Sequence, residues 1–136
     1  MNQSDKARAF TALHVAGDPV ILFNAWDPGS AKAIAEAGAN AIATGSWSVA
    51  AAHGFADAEG LPLEIALANA ARIANAVELP VTLDFEGGYA IEPDRVAANF
   101  GRVLEAGAIG CNFEDQVVGG EGLHSVRDQA RRIEAL

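Results

Sequence analysis

Pro80-Val81-Thr82-Leu83-Asp84-Phe85-Glu86-Gly87-Gly88-Tyr89 is the stretch around which the chain organises. Val81, Thr82, Leu83 and Phe85 favour extended backbone, and Pro80 stands at the entry, where no ladder donor is needed. Side chains alternate along a strand, so Thr82, Asp84 and Glu86 are expected on one face, with Val81, Leu83 and Phe85 on the other. Two carboxylates would then leave the carboxyl end of one strand together, before Gly87-Gly88 turns the chain. Like charges that close repel unless something binds between them, and a hard cation such as Mg²⁺ takes oxygen ligands of this kind. The competing reading is a strand-end pair that faces water or meets Lys or Arg.

The flanks repeat one theme. A helix is expected from Pro62 to Val77, with Ile65, Ala66, Ala70, Ile73 and Val77 on one side, and another from Pro93 to Ala106 with a Val96, Phe100, Val103, Leu104 stripe. Upstream, Val20–Ala25 and Ala41–Thr44 read as strands separated by a helix over 30–37 that Gly38 stops. Downstream, Ile109–Phe113 reads as a strand ending in Glu114-Asp115, and Ser125 caps a last helix. Ser4–Leu13 reads as an amino-terminal helix, and Gly45–Gly60 as a long polar loop with a helical turn near Val49–Ala52. One helix followed by four βα units implies an α/β fold with a parallel sheet. A small doubly wound sheet and the first half of a (β/α)₈ barrel compete. Asn24, Asp27, Ser46, Asp84, Glu86 and Glu114 all fall at carboxyl ends of strands. Polar residues on four consecutive strand ends fit a barrel rim better than a single switch point. A full barrel takes roughly 250 residues. Residues 1–136 are therefore expected to form a single domain, the amino-terminal four of eight units.

Composition excludes other classes. A chain with 51% hydrophobic residues can bury a core. A formal net charge of −9 argues against nucleic-acid backbones and anionic membranes as partners. It also means that an anionic substrate needs a local positive centre. The lone Cys111 rules out an internal disulfide framework, and no apolar run approaches a membrane span. Met1–Ala9 has no signal-peptide core, so a cytoplasmic location is expected.

Asn24-Ala25-Trp26-Asp27, Ala43-Thr44-Gly45-Ser46, Gly54-Phe55-Ala56-Asp57, Asp84-Phe85-Glu86-Gly87-Gly88-Tyr89 and Asn112-Phe113-Glu114-Asp115-Gln116 together resemble the isocitrate lyase / phosphoenolpyruvate mutase superfamily in order, spacing and strand placement. The resemblance implies a Mg²⁺-dependent barrel enzyme, with Mn²⁺ as an alternative ion, acting on small α-keto or 2-hydroxy carboxylates. It implies C–C or P–C bond chemistry through an enolate-like species held on the metal. It assigns metal-ligand positions to Asp84, Glu86 and Glu114, a nearby loop acid to Asp57, and substrate-carboxylate contacts to Ser46 and Trp47. Glu86 stands where the family pattern usually has Asp. A homo-oligomer, dimer or tetramer, is implied as well.

The departures are as informative. Lyase branches carry a Lys-Lys-Cys-Gly-His-like loop after the fourth strand, and this chain has Gln116-Val117-Val118-Gly119-Gly120-Glu121-Gly122-Leu123-His124. The family's Cys acid therefore has no counterpart, and the Lys and Asn of the mutase branch are missing too. Cys111 alternates with Asn112 and is expected to face the helices as a small hydrophobe. His124 is the titratable group of that loop suited to neutral pH and the candidate acid or base. His53 lies near Asp57 and could enter the site. The alternative function is a non-catalytic half-barrel that self-associates through its open sheet edges.

Overall fold

The computed structural model describes residues 1–136. The elements run α1 (Gln3–Ala12), β1 (Phe23–Ala25), α2 (Pro28–Glu36), β2 (Ile42–Thr44), α3 (Ser46–Ala52), α4 (Leu63–Ala76), β3 (Val81–Asp84), α5 (Pro93–Glu105), β4 (Gly110–Asn112) and α6 (Val126–Ala135). The four strands form one parallel sheet in the order β1-β2-β3-β4. Sequential order without reversal leaves no switch point, so the sheet winds one way, as barrel strands do, and the doubly wound alternative falls.

Register explains the burial. Ile42 pairs with Val81, Leu83 with Cys111, and Asp84 with Asn112. Val81 and Ile42 pack with Ala25, Ala31, Ile73 and Val77, between the strands and helices α2 and α4. Leu83 and Phe85 pack with Leu67, Ala70, Val96 and Val103 of α4 and α5. Cys111 joins that second cluster from the side, as the alternation predicts. Thr82 and Asp84 are left on the opposite face. The α4 stripe Ala66, Ala70 and Ile73 is buried, while Glu64 remains on its exposed side and forms a forked ion pair with Arg102. Helix α1 is tied on by long side chains: Gln3 Nε2 donates to the carbonyls of Leu104 and Ala108, and Lys6 Nζ to that of Val77.

Among the boundaries that differ from the sequence reading, three bear on the site. β1 starts at Phe23 rather than Val20, because Phe23 already pairs with Ile42, the first residue of β2. Val20–Leu22 have no ladder partner. The helical turn expected near Val49 is a seven-residue helix that begins immediately at Ser46. β3 ends at Asp84, two residues short of Glu86. No helix is long and apolar enough to cross a membrane.

Candidate active site

Asp84 is the last residue of β3, and its carboxylate reaches across to the next strand end. Its Oδ2 accepts the Ser46 amide at 2.9 Å, and its own amide donates to Thr44 Oγ1 at 2.9 Å. Helix α3 has no side-chain cap from its own N-cap residue, Gly45, so Asp84 supplies one from β3. Glycine at 45 keeps this corner open: a Cβ there would stand 2.9 Å from Asn24 Nδ2 and 3.1 Å from Ser48 Oγ, so those side chains would have to shift. The second oxygen, Asp84 Oδ1, is buried and has no hydrogen-bond partner.

Glu86 does not share the face of Asp84 by strand alternation. Its backbone turns left-handed at φ 51°, which ends the strand and redirects the side chain. Its carboxylate is buried and held from two directions. Glu59 N donates to Oε2 at 2.7 Å, and Tyr89 OH donates to Oε1 at 3.3 Å. Glu59 returns the contact, since its Oε1 accepts the Tyr89 amide at 2.8 Å. The clasp joins two strained segments, with Ala58 and Glu59 at φ 60° and 58°, and Glu86 and Tyr89 at 51° and 56°. A narrow cavity beside the clasp is lined by Thr44, Ser46, Asn69, Asp84, Glu86 and Tyr89.

The site is strongly acidic. Burial, then the charges of Asp57 and Glu59, pushes the Glu86 carboxyl up, against the lowering pull of its hydrogen bonds. Burial pushes Glu114 up as well, followed by the charges of Asp84, Asp57, Asp115 and Glu59. The Tyr89 phenol is raised by burial and by the neighbouring Glu86. Asp57 is exposed and acts on the cluster through its charge. Burial, then Asp84, pushes the Cys111 thiol up to about 11. These carboxylates share one electrostatic neighbourhood, yet no three His, Cys, Asp or Glu side chains converge into a ready-made ligand set. Glu114 is joined to Glu86 through the backbone, its amide donating to the Glu86 carbonyl at 2.8 Å.

Ser46 sits at the site, while the Trp47 side chain is 68% exposed and lines no part of the cavity. His124 is not brought to Asp84. It lines a separate cavity with Glu59, Tyr89, Gln116 and Val118, and its amide is bonded to the Asp115 carbonyl. The loop before it is closed by a bridge between Gln116 and Leu123. His53 turns back onto its own helix, with Nδ1 at 2.8 Å from the Val49 carbonyl.

Sequence reasoning missed Glu59, Asn69 and Arg132. Asn69 lies in the apolar stripe of α4, three residues after Ala66, and that misplaced polar residue was a readable signal. It is buried, donates to the Trp26 carbonyl at 2.9 Å and accepts from Arg72. Arg132 is the buried residue of α6 while Val126 and Ile133 are exposed, so no local pattern marked it. Glu59 carries no signal, because its role follows from a left-handed backbone that composition does not announce.

Residues 10–136 match the family model described as phosphoenolpyruvate phosphomutase. A crystal structure described as a "putative phosphonomutase" from Burkholderia cenocepacia J2315 is 47% identical, with a TM-score of 0.95 over 98% of this chain and 53% of that one. The phosphoenolpyruvate phosphomutase of Streptomyces platensis subsp. rosaceus is 29% identical, with a TM-score of 0.84 over 95% of this chain and 47% of that one. A protein of Corynebacterium glutamicum described as "probable 2-methylisocitrate lyase 2" is 32% identical over 84% of this chain. The chain spans 37% of that protein and about half of each matched structure.

Proposed function

Because this chain belongs to the phosphoenolpyruvate phosphomutase family, we propose that it carries the amino-terminal half of the active site of a Mg²⁺-dependent lyase or mutase. Its substrates are small α-keto or 2-hydroxy carboxylates, and residues 1–136 form one domain, four units of an eight-unit barrel. The names of its relatives cover both phosphonomutase and 2-methylisocitrate lyase, so P–C and C–C chemistry are both within the reading.

The observation that carries this reading is Asp84 Oδ1, a buried carboxylate oxygen with no donor to satisfy it. An unpaired buried acceptor is costly, and a cation or its bound water would relieve that cost. The residues fit Mg²⁺ rather than a metal that needs a closed protein cage. Asp84, Glu86, Thr44 and Ser46 line one narrow cavity with oxygen donors, burial and then neighbouring acidic charge raise Glu86 and Glu114, and few direct ligands suit an ion that keeps several waters. Mn²⁺ has the same preference for oxygen donors. Asp84, Glu86 and Glu114 would hold the ion and its waters. When bound, it supplies the positive centre that an anionic substrate needs in a chain of net charge −9. The Ser46 hydroxyl and the Trp47 backbone would take the substrate carboxylate. His124 would serve as acid or base, and a His124→Ala variant with unchanged turnover removes it from the mechanism.

A second reading, an association-prone half-barrel with an incomplete site, is favoured by the unpaired edge of β1, where Phe23 is 59% exposed beside Ile21. The deciding experiment is calorimetric titration of Mg²⁺ with and without oxalate, a planar dicarboxylate that mimics an enolate. Saturable binding that oxalate strengthens and Asp84→Ala abolishes supports the enzyme. Folded chain that takes up no Mg²⁺ supports the scaffold.

A further inference from the structure

Arg132 carries a buried charge that the carboxylate site does not use directly. It sits on α6, is 2% exposed, and has no carboxylate within ion-pair distance. Its Nη2 donates to the carbonyl of Gly87 and, at 3.0 Å, to that of Ala90. Its Nη1 donates to Gln129 Oε1 at 2.7 Å, and the guanidinium lies 4.8 Å from the centre of the Phe113 ring. Gln129 continues the path, its Nε2 donating to the Glu114 carbonyl at 3.1 Å. One side-chain relay therefore runs from the turn after Glu86, through α6, to Glu114. Asn99 of α5 adds a bond to the Gly88 carbonyl at 3.0 Å.

The arrangement is poorly explained as packing. A hydrophobic side chain of similar volume would fill the space beneath Phe113 without desolvating a cation. A planar guanidinium instead holds the two carbonyls through Nη2 and Gln129 through Nη1 in one rigid plane, an arrangement that a flexible ammonium matches poorly. The turn it grips contains the left-handed Glu86 and Tyr89, and such strain persists only where the surroundings over-determine it. We propose that Arg132 and Gln129 are positioning residues that set the Glu86 turn and the Glu114 strand end relative to each other. The proposal rests on the reading of these carboxylates as the metal site.

The test compares Arg132→Lys and Gln129→Leu in the full chain by two measurements. One is amide hydrogen exchange without metal, and the other is Mg²⁺ affinity by calorimetry. Arg132→Lys is expected to speed exchange at the Gly88, Tyr89 and Glu114 amides about tenfold relative to α4, and to weaken Mg²⁺ binding by about the same factor. Gln129→Leu should speed Glu114 and weaken Mg²⁺ while leaving Gly88 unchanged. Unaltered exchange at these amides in both variants overturns the proposal. So does equal acceleration throughout α4 and α5, which marks general destabilisation. So does the expected exchange pattern combined with wild-type Mg²⁺ affinity. If wild-type chain binds no Mg²⁺ and the exchange pattern still appears, the brace stands and the metal-site reading fails. Should Arg132→Lys not fold, Gln129→Leu decides alone.

Discussion

The Asp84 carboxylate and the Ser46 amide, 38 residues apart in sequence, meet at 2.9 Å. This single bond joins the end of β3 to the start of α3 and leaves the other Asp84 oxygen buried without a donor. Asp84→Asn separates the two roles. Its amide oxygen can still accept from Ser46, but the charge is gone. Stability by denaturant unfolding should hold or rise by up to about 1 kcal/mol, because an unpaired buried charge is removed. Mg²⁺ affinity should fall at least on the order of tenfold, since a hard cation prefers the charged oxygen.

The raised carboxyls make stability depend on pH in a defined direction. Glu86 and Glu114 have folded values above the ordinary 4.5. The folded state therefore binds their protons more tightly than the unfolded state does. Their contribution is most favourable below 4.5 and is lost as pH rises through the raised folded values. Metal-free chain should accordingly be more stable to denaturant just above pH 4.5 than at pH 7. Asp27 and Glu64, lowered by Ser30 and Arg102 respectively, act oppositely, but only as pH falls through their own depressed values. Saturating Mg²⁺ should flatten or reverse the slope, as the ion favours the charged carboxylates.

Backbone strain gives a test that touches no charge. Ala58 adopts φ 60°, where an L-residue pays for its Cβ and glycine does not. Ala58→Gly should stabilise the chain, or leave it unchanged, within about 1 kcal/mol once the larger unfolded-state entropy of glycine is subtracted. The same substitution at Ala70, inside α4, should destabilise by at least about 1 kcal/mol. Thermal unfolding of the two variants provides the comparison.

Gly88 is the reverse case. It has φ 82°, and a Cβ would stand 2.9 Å from Phe113 Cε2 and 3.0 Å from Val96 Cγ1. Gly88→Ala should cost roughly 1–3 kcal/mol by overpacking and strain. If the turn aims Glu86, Mg²⁺ affinity of the folded fraction should fall too.

The thiol of Cys111, pushed up to about 11 by burial and by Asp84, should react slowly with iodoacetamide at pH 8 in native chain and quickly in denaturant. Fast native labelling would place the thiol outside the cluster it shares with Leu83 and Phe85.

The βα alternation, the parallel sheet, the apolar stripes of α4 and α5 and the place of Asp84 at a strand end were legible from residue order alone. Each follows from a local periodicity, of 2 or 3.6 residues, that a short window of sequence contains. The direction of Glu86 was not legible. Alternation placed it beside Asp84, but a left-handed residue at the strand end turned it toward Glu59, 27 residues away. The relay through Arg132 was equally hidden, because its carbonyl partners lie 42 and 45 residues upstream. Local pattern determined which elements form and which ends carry acid. Which donor meets which carboxylate depended on helix placement and on backbone conformations that a few residues adopt only when distant segments hold them there, so the tertiary structure alone decided it.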